Sequence, residues 1–150
     1  GEGDLLEDSI ERSVVLGDSI RFLGWQQDLG PLYAAADVAA ISSDNEGMPV
    51  TLIEAAMAGV PAVTTDVGSA GEVVADGVTG CVVPPDVGSL AEGLVWLLTD
   101  HEMRVRMGGE ARLRAEELFG VERLVADHVR LYERLVDGGR ASPCRSGRGW

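Results

Sequence analysis

The sequence contains no lysine, so its twelve basic residues are all arginines, against 25 aspartates and glutamates. The resulting net charge of -13 argues against nucleic acid and anionic membrane surfaces as partners of this segment, because both need a basic protein surface. No apolar run approaches the roughly 20 residues that cross a bilayer, and nothing at the start resembles a signal peptide.

Cysteine and histidine are also scarce. Cys81 and Cys144 are too few for a disulfide framework or a cysteine metal site, which favours a reducing, cytoplasmic setting. His101 and His128 both fall in predicted helices. His128 lies on an apolar stripe, so we interpret it as a packed core or rim residue and not as a catalytic base.

The 150 residues suffice for one compact domain, and 45% of them are hydrophobic. The chain begins with Gly1 and not with methionine, and Gly1-Glu2-Gly3 is typical of a turn that follows another element. We therefore expect a fragment of a longer protein.

Hydrophobic periodicity and turn residues predict alternating helices and strands. Predicted strands are 19–23, 37–41, 62–65 and 80–83, and predicted helices are 4–15, 29–36, 49–58, 72–75, 86–98, 100–117 and 121–137. Residues 138–150 are expected to be disordered. Such alternation predicts an α/β fold with a parallel sheet and helices on both faces, whose ligands bind beyond the carboxyl ends of the strands.

The segment from Ser43 to Glu54 is the most informative in the chain. It runs from the end of a predicted strand, through a loop that holds Glu46 and Gly47, into a helix. The first N–H groups of that helix, from Val50 and Thr51, have no carbonyl partner within the helix. Together with the helix dipole they form an anion site that suits a diphosphate.

Glu54 lies one helical turn further, on a helix that is otherwise almost wholly apolar. A carboxylate there is costly without partners, and the hydroxyls of a ribose would supply two donors. The alternative, a solvated or ion-paired surface residue, stays open on spacing alone. Glu46 has a similar alternative, since an acid near a helix N-terminus complements the dipole.

The two glutamates, separated by seven residues, resemble the E-x7-E motif of retaining GT-B glycosyltransferases. Further segments follow in that family's order over about residues 1–136, and the chain is identified as similar to glycosyltransferase family 4 in particular. These segments are Phe22-Leu23-Gly24, the run from Leu52 to Val63, Thr65-Asp66-Val67-Gly68, Glu72-Val73-Val74, Asp76 to Gly80, Val82 to Pro85, and Phe119.

The resemblance implies a role for each matching residue. Glu46, the candidate catalytic residue, would bind hydroxyls of the transferred sugar, and Glu54 would hold the ribose. The backbone of Gly47, Met48, Val50 and Thr51 would line the sugar and diphosphate, while Gly24 and Trp25 would lie near the base. Trp25 would either stack on the base or be an exposed structural tryptophan. Pro49 stands where many relatives have glycine and removes one backbone donor.

The resemblance further implies that residues 1–137 are the nucleotide-sugar-binding, C-terminal domain of a GT-B enzyme, with a partial doubly wound, Rossmann-like sheet. That domain would be incomplete at its N-terminus. An Arg and a Lys that neutralise the diphosphate, the central strands, and the N-terminal domain that holds the acceptor would lie upstream. We expect the fragment alone to be inactive and only marginally stable. The missing half is also where peripheral attachment to the inner membrane face would reside.

The implied reaction moves a sugar from a nucleoside-diphosphate donor to an acceptor with retention, by a front-face route and without a cofactor or a required metal. Asp44-Asn45-Glu46 leaves open a divalent ion held through the diphosphate. A GT-B sugar-nucleotide epimerase is the nearest alternative, and a truncated, non-catalytic remnant is another. A receiver-like module needs a lysine that this chain lacks.

Overall fold

The computed structural model describes residues 5–140, which form two compact units. The first unit, Gly1–Ala35, contains α1 (Leu6–Ser13), a 3-10 stretch (Val14–Ser19) and α2 (Gly30–Ala35). The described part of the second unit, Ala36–Trp150, is built from β1 (Ala39–Ile41), α3 (Val50–Met57), β2 (Ala62–Thr65), α4 (Ala70–Val73), β3 (Gly80–Val83), α5 (Val87–Thr99), α6 (His101–Phe119) and α7 (Val121–Arg140).

In the first unit, the single helix predicted over 4–15 is replaced by α1 and the 3-10 stretch, and the backbone leaves helical geometry at Gly17. The strand predicted over 19–23 is wrong. Ser19 ends the 3-10 stretch, and the residues that follow it form no ladder with any strand of the described chain. Ile20 and Phe22 are 40% and 45% exposed. An apolar segment forms a strand only where a neighbouring strand pairs with it, and none of the described strands pairs with this segment.

The second unit is organised around a parallel sheet in the order β1-β2-β3. The register pairs Ala40 with Val63 and Val63 with Cys81, so β2 is the middle strand of the three. Every residue of β2 is buried. The predicted parallel sheet is confirmed, and its geometry brings the loops after the three strands to one edge.

Helices cover both faces of this sheet. Leu52 from α3 and Val73 from α4 pack with Ala62 on one face, and Leu97 from α5 and Met107 from α6 pack with Val63 on the other. Each fully buried leucine contributes about 1.5–3 kcal/mol relative to exposure. Side chains alternate between the two cores along β2, as a strand in the middle of a two-faced layer requires.

The helices after the sheet begin at acidic caps. Asp86 accepts a hydrogen bond from the Ser89 N–H at 2.9 Å, and Asp100 accepts one from the Met103 N–H at 2.9 Å. Hydrogen bonds from the hydroxyl and backbone of Ser89 lower the pKa of Asp86. These caps start α5 and α6 within a residue of their predicted positions, because aspartate satisfies N–H groups that lack a helical partner.

Helix α7 carries a stripe of exposed apolar side chains. Leu124 is 55% exposed and Leu135 is 62% exposed. His128 lies on the same exposed helix, with Nδ1 2.7 Å from the Leu124 carbonyl O, so it is not a core residue. The helix continues to Arg140, three residues past its predicted end, and 141–150 of the predicted disordered tail lie outside the described residues.

Within residues 5–140, none of the helices combines the length and the apolar character needed to span a bilayer.

Close packing of α3 and α6 generates a first prediction. A Cβ atom at the buried Gly108 would lie 2.1 Å from the Gly59 carbonyl O, whereas a Cβ atom at Gly109 would meet nothing within 4 Å. Gly108→Ala should therefore lower the free energy of unfolding by about 1–3 kcal/mol through overpacking. Gly109→Ala should raise it by up to about 1 kcal/mol through helix propensity.

Denaturant unfolding of the full-length protein measures both variants, and Gly109→Ala is the matched control on the same helix. Equal effects of the two substitutions would contradict the packing described here.

Candidate functional site

The candidate site lies at the edge of the sheet where β1, β2 and β3 end. The loop 42–49 leaves β1 there and turns into α3. It holds Glu46, Gly47 and Met48, and α3 opens with Val50 and Thr51. The sequence predicted this succession of strand, loop and helix, and the structure confirms it.

Glu46 is a half-buried residue of this loop. The Ser43 hydroxyl donates a hydrogen bond to Glu46 Oε1 at 2.6 Å. Such a charge-assisted bond is among the stronger ones available to a carboxylate. It fixes the Glu46 side chain at the carboxyl end of β1, where a ligand of a parallel sheet would bind.

The loop after β2 packs directly against the backbone of Glu46. A Cβ atom at Gly68 would lie 1.7 Å from the Glu46 carbonyl O, and Gly68 has a φ of 51°. Both the space and the backbone angle therefore demand glycine. The neighbouring Ser69 N–H donates to the Gly47 carbonyl O at 3.3 Å, so two successive residues of each loop touch.

A buried threonine also joins the two loops. The Thr65 hydroxyl, on the last residue of β2, donates to the Ser43 carbonyl O at 2.6 Å, and Thr65 is only 3% exposed. Ser43, Thr65 and Gly68 were not among the site residues predicted from the sequence. The contact between Ser43 and Thr65 spans 22 positions, so it becomes visible only once β1 and β2 are known to be neighbours.

Pro49 immediately precedes helix α3; it is buried and has extended backbone angles. The N–H groups of Leu52 and Ile53 both donate to the Pro49 carbonyl O, at 3.0 and 3.4 Å. Pro49 has no side-chain acceptor, so it makes no side-chain cap to the first turn of the helix. Val50 is 60% exposed there, so an anion can approach this end.

Glu54 stands on the exposed face of α3, together with Val50 and Thr51 one turn earlier. The opposite face carries Leu52 and Ala55, both fully buried. The sequence suggested that Glu54, on an almost wholly apolar helix, would need partners to offset the cost of burying its carboxylate. The structure shows instead that Glu54 faces outward, away from the buried Leu52 and Ala55, where a ligand can reach it.

The predicted base-contacting residues lie in the first unit. Gly24 has a φ of 62°, and the following Trp25 is 72% exposed, as an indole available for stacking would be. The six other predicted site residues all belong to the loop 42–49 and α3 of the second unit.

An open groove of about 670 Å³ borders Met48 and Ile53. Its far side is formed by α4, α6 and the start of α7, with Arg114 and Arg123 among the lining side chains. Arg114 Nη2 donates to the Glu72 carbonyl O at 2.9 Å. Arg123 Nε lies 3.3 Å from Asp127 Oδ2, so both cations are engaged by the protein itself.

Across residues 5–140, no three side chains of His, Cys, Asp or Glu come close enough to hold a metal ion together. Asp44 and Glu46 are the carboxylates that the sequence offered for a divalent ion, and no third such side chain of the described chain joins them.

Comparisons with known proteins agree with this geometry. The family model described as "Glycosyl transferases group 1" matches residues 1–100. The N-acetyl-alpha-D-glucosaminyl L-malate synthase of Bacillus anthracis is 33% identical over 123 residues, which cover 81% of this chain and 32% of that protein.

Two solved structures are similar at comparable coverage. Sucrose-phosphate synthase from Thermosynechococcus elongatus has a TM-score of 0.80 at 30% identity, covering 88% of this chain and 34% of its own. Anabaena Alr3699/HepE, in complex with UDP-glucose, has a TM-score of 0.79 at 28% identity, covering 91% of this chain and 38% of its own.

The chain thus spans about a third of the length of these proteins. Its parallel sheet with flanking helices matches the C-terminal domains of GT-B glycosyltransferases, which confirms the predicted fold class. With the family's own model matched over residues 1–100 of 150, the chain belongs to the group 1 glycosyltransferases.

Proposed function

We propose that this chain is the donor-binding part of a retaining glycosyltransferase, which transfers a sugar from a nucleoside diphosphate to an acceptor held by another part of the protein. The observation that carries the proposal is the placement of Glu46 and Glu54 at one edge of the sheet, on either side of the open N-terminus of α3. HepE, solved with UDP-glucose, supports the donor class.

The N-terminus of α3 would receive the diphosphate. Its dipole carries roughly half a positive charge at that end, and its first N–H groups point away from the helix toward the ligand. Charge builds on the diphosphate as the sugar leaves, so donors already fixed in place stabilise the transition state more than the ground state. Upstream cations would complete this neutralisation, and neither a metal ion nor another cofactor is part of the proposal.

Glu46 would accept hydrogen bonds from hydroxyls of the transferred sugar. Its carboxylate is held by Ser43 and its backbone is buttressed by Gly68. Hydrogen bonds to a fixed carboxylate orient the sugar ring relative to the diphosphate, which is the kind of positioning that lowers a barrier.

Glu54 would bind the ribose hydroxyls of the donor. It lies one helical turn beyond Val50 on the exposed face of α3, so a ligand whose diphosphate sits at the helix start extends along the helix toward it. Two hydroxyls donating to one carboxylate give bonds of about 1.5–3 kcal/mol each. Gly24 and Trp25 would contact the base.

An epimerase would need acid–base groups at the same edge. His101 is the first residue of α6, after α5 has returned from the carboxyl edge of the sheet, so it lies at the opposite edge from Glu46. His128 hydrogen-bonds within α7. An epimerase that used an imidazole as its acid–base group would therefore find neither histidine placed for that role.

Titration calorimetry of the full-length protein tests the proposal directly. The probes are UDP-glucose, UDP-N-acetylglucosamine and GDP-mannose, each compared with its nucleoside diphosphate. We expect saturable binding of at least one sugar nucleotide and of its nucleoside diphosphate. Absence of binding to all of them would contradict a donor-binding role.

The two glutamates should affect that binding differently. Glu54→Gln keeps the side-chain size and removes the charge. Affinity for both the sugar nucleotide and its nucleoside diphosphate should therefore fall about tenfold, because both ligands carry the ribose. Glu110→Gln, an exposed glutamate of α6, is the matched control and should bind as the unmodified protein does. A Glu54→Gln variant with unchanged affinity would refute the ribose contact.

Glu46→Gln should weaken binding of the sugar nucleotide by about tenfold and leave binding of the nucleoside diphosphate unchanged, because Glu46 contacts only the transferred sugar. The same titrations measure both ligands. Equal loss for the two ligands would show that Glu46 contacts the nucleotide or supports the fold, and would overturn its assignment.

The glycine that supports Glu46 gives a further prediction. Gly68→Ala forces its Cβ into the Glu46 carbonyl, so it should displace the loop and lower sugar-nucleotide affinity by tenfold or more, on the order of 1.4 kcal/mol. Gly71→Ala, where a Cβ meets nothing within 4 Å, is the control. A Gly68→Ala variant that binds like the control would contradict the loop contact.

A further inference from the structure

Glu46 is linked to β2 by a chain of two hydrogen bonds through Ser43, whose carbonyl accepts one and whose hydroxyl donates the other. The Ser43 hydroxyl donates to Glu46 Oε1 at 2.6 Å, and the Thr65 hydroxyl donates to the Ser43 carbonyl O at 2.6 Å. The chain runs from a nearly fully buried residue of β2, through a half-buried one, to the half-buried carboxylate.

The anchor of this chain is rigid. Thr65 is the last residue of β2, pairs in register with Val83 of β3, and is 3% exposed. A β-branched side chain in a strand has few rotamers, so its hydroxyl oxygen stays within hydrogen-bond distance of the Ser43 carbonyl. The position of Ser43 is thereby fixed by the middle strand of the sheet and not by its own loop alone.

The consequence for Glu46 is that one oxygen is already engaged before any ligand arrives. An aligned donor to Oε1 restricts rotation of the carboxylate and leaves Oε2 as the oxygen offered to a ligand hydroxyl. Because side-chain ordering costs free energy on binding, a carboxylate ordered in advance binds more tightly than a freely rotating one.

We propose that Ser43 and Thr65 are positioning residues for Glu46, setting the carboxylate in the orientation that receives the transferred sugar. The proposal rests on the proposed function, since it assigns the same glutamate to the sugar. Neither hydroxyl touches the ligand: Ser43 acts through Glu46, and Thr65 acts through Ser43.

Thr64 provides a contrast within the same strand. Its hydroxyl is also buried, at 0% exposed, but it donates to the Thr65 carbonyl at 3.3 Å and has no part in the chain to Glu46. Thr64→Val and Thr65→Val therefore remove equivalent buried hydroxyls at neighbouring positions, and only the second should be felt at Glu46.

The test compares Ser43→Ala and Thr65→Val with Ser42→Ala and Thr64→Val in the full-length protein. Calorimetry measures the affinity of each variant for two ligands. The first is whichever of UDP-glucose, UDP-N-acetylglucosamine and GDP-mannose the unmodified protein binds best, and the second is the corresponding nucleoside diphosphate. We expect Ser43→Ala to weaken sugar-nucleotide binding about tenfold and Thr65→Val about threefold, with diphosphate binding unchanged and both controls unaffected. Thr65→Ser, which keeps the hydroxyl, should restore binding.

Loss of both ligands to the same extent, or equal effects of Thr64→Val and Thr65→Val, would show a purely structural role and overturn the proposal. A crystal structure of the unliganded full-length protein gives a reading that needs no donor. Glu46 Oε1 within hydrogen-bond distance of Ser43 Oγ supports the orientation of the carboxylate by Ser43, even if no sugar nucleotide binds and the proposed function fails. A carboxylate turned away from Ser43 overturns the proposal whether or not a sugar nucleotide binds.

Discussion

The contact between Gly68 and the Glu46 carbonyl is the constraint on which the rest of the site depends. β1 and β2 are adjacent and parallel, with Ile41 opposite Thr64, so the loops that follow them leave the same edge and must pass each other. Because Gly68 has no side chain, the two backbones can touch. The start of α3 is set by that contact, because the loop that carries Glu46 continues directly into the helix.

The remaining packing keeps this edge in place from behind. α3 buries Leu52 against β2 and approaches α6 through alanines and Gly108, so its axis is fixed on two sides. Its third side, with Val50, Thr51 and Glu54, is exposed. A helix held rigidly along its buried faces and open at its N-terminus can meet an anion without rearranging, which is the condition for electrostatic stabilisation of a leaving group.

Sequence patterns predicted the parts that depend on local chemistry. β2 and β3 appear at their predicted residues because each is a short apolar run bounded by turn residues or proline. Glu46 and Glu54 lie where the sequence predicted them, one in the loop and one on the helix, because both belong to one continuous segment. The strand predicted over 19–23 failed, since a strand exists only where a partner pairs with it. The Thr65–Ser43 bond and the Gly68 contact were invisible for the same reason, because they join segments about 22 residues apart.

The most direct measurement is a crystal structure of the full-length protein with the sugar nucleotide that it binds best. The account predicts the diphosphate at the N-terminus of α3, the ribose hydroxyls on Glu54, and a sugar hydroxyl on Glu46 beside Ser43. A diphosphate bound away from α3, or a sugar that contacts neither glutamate, would contradict it.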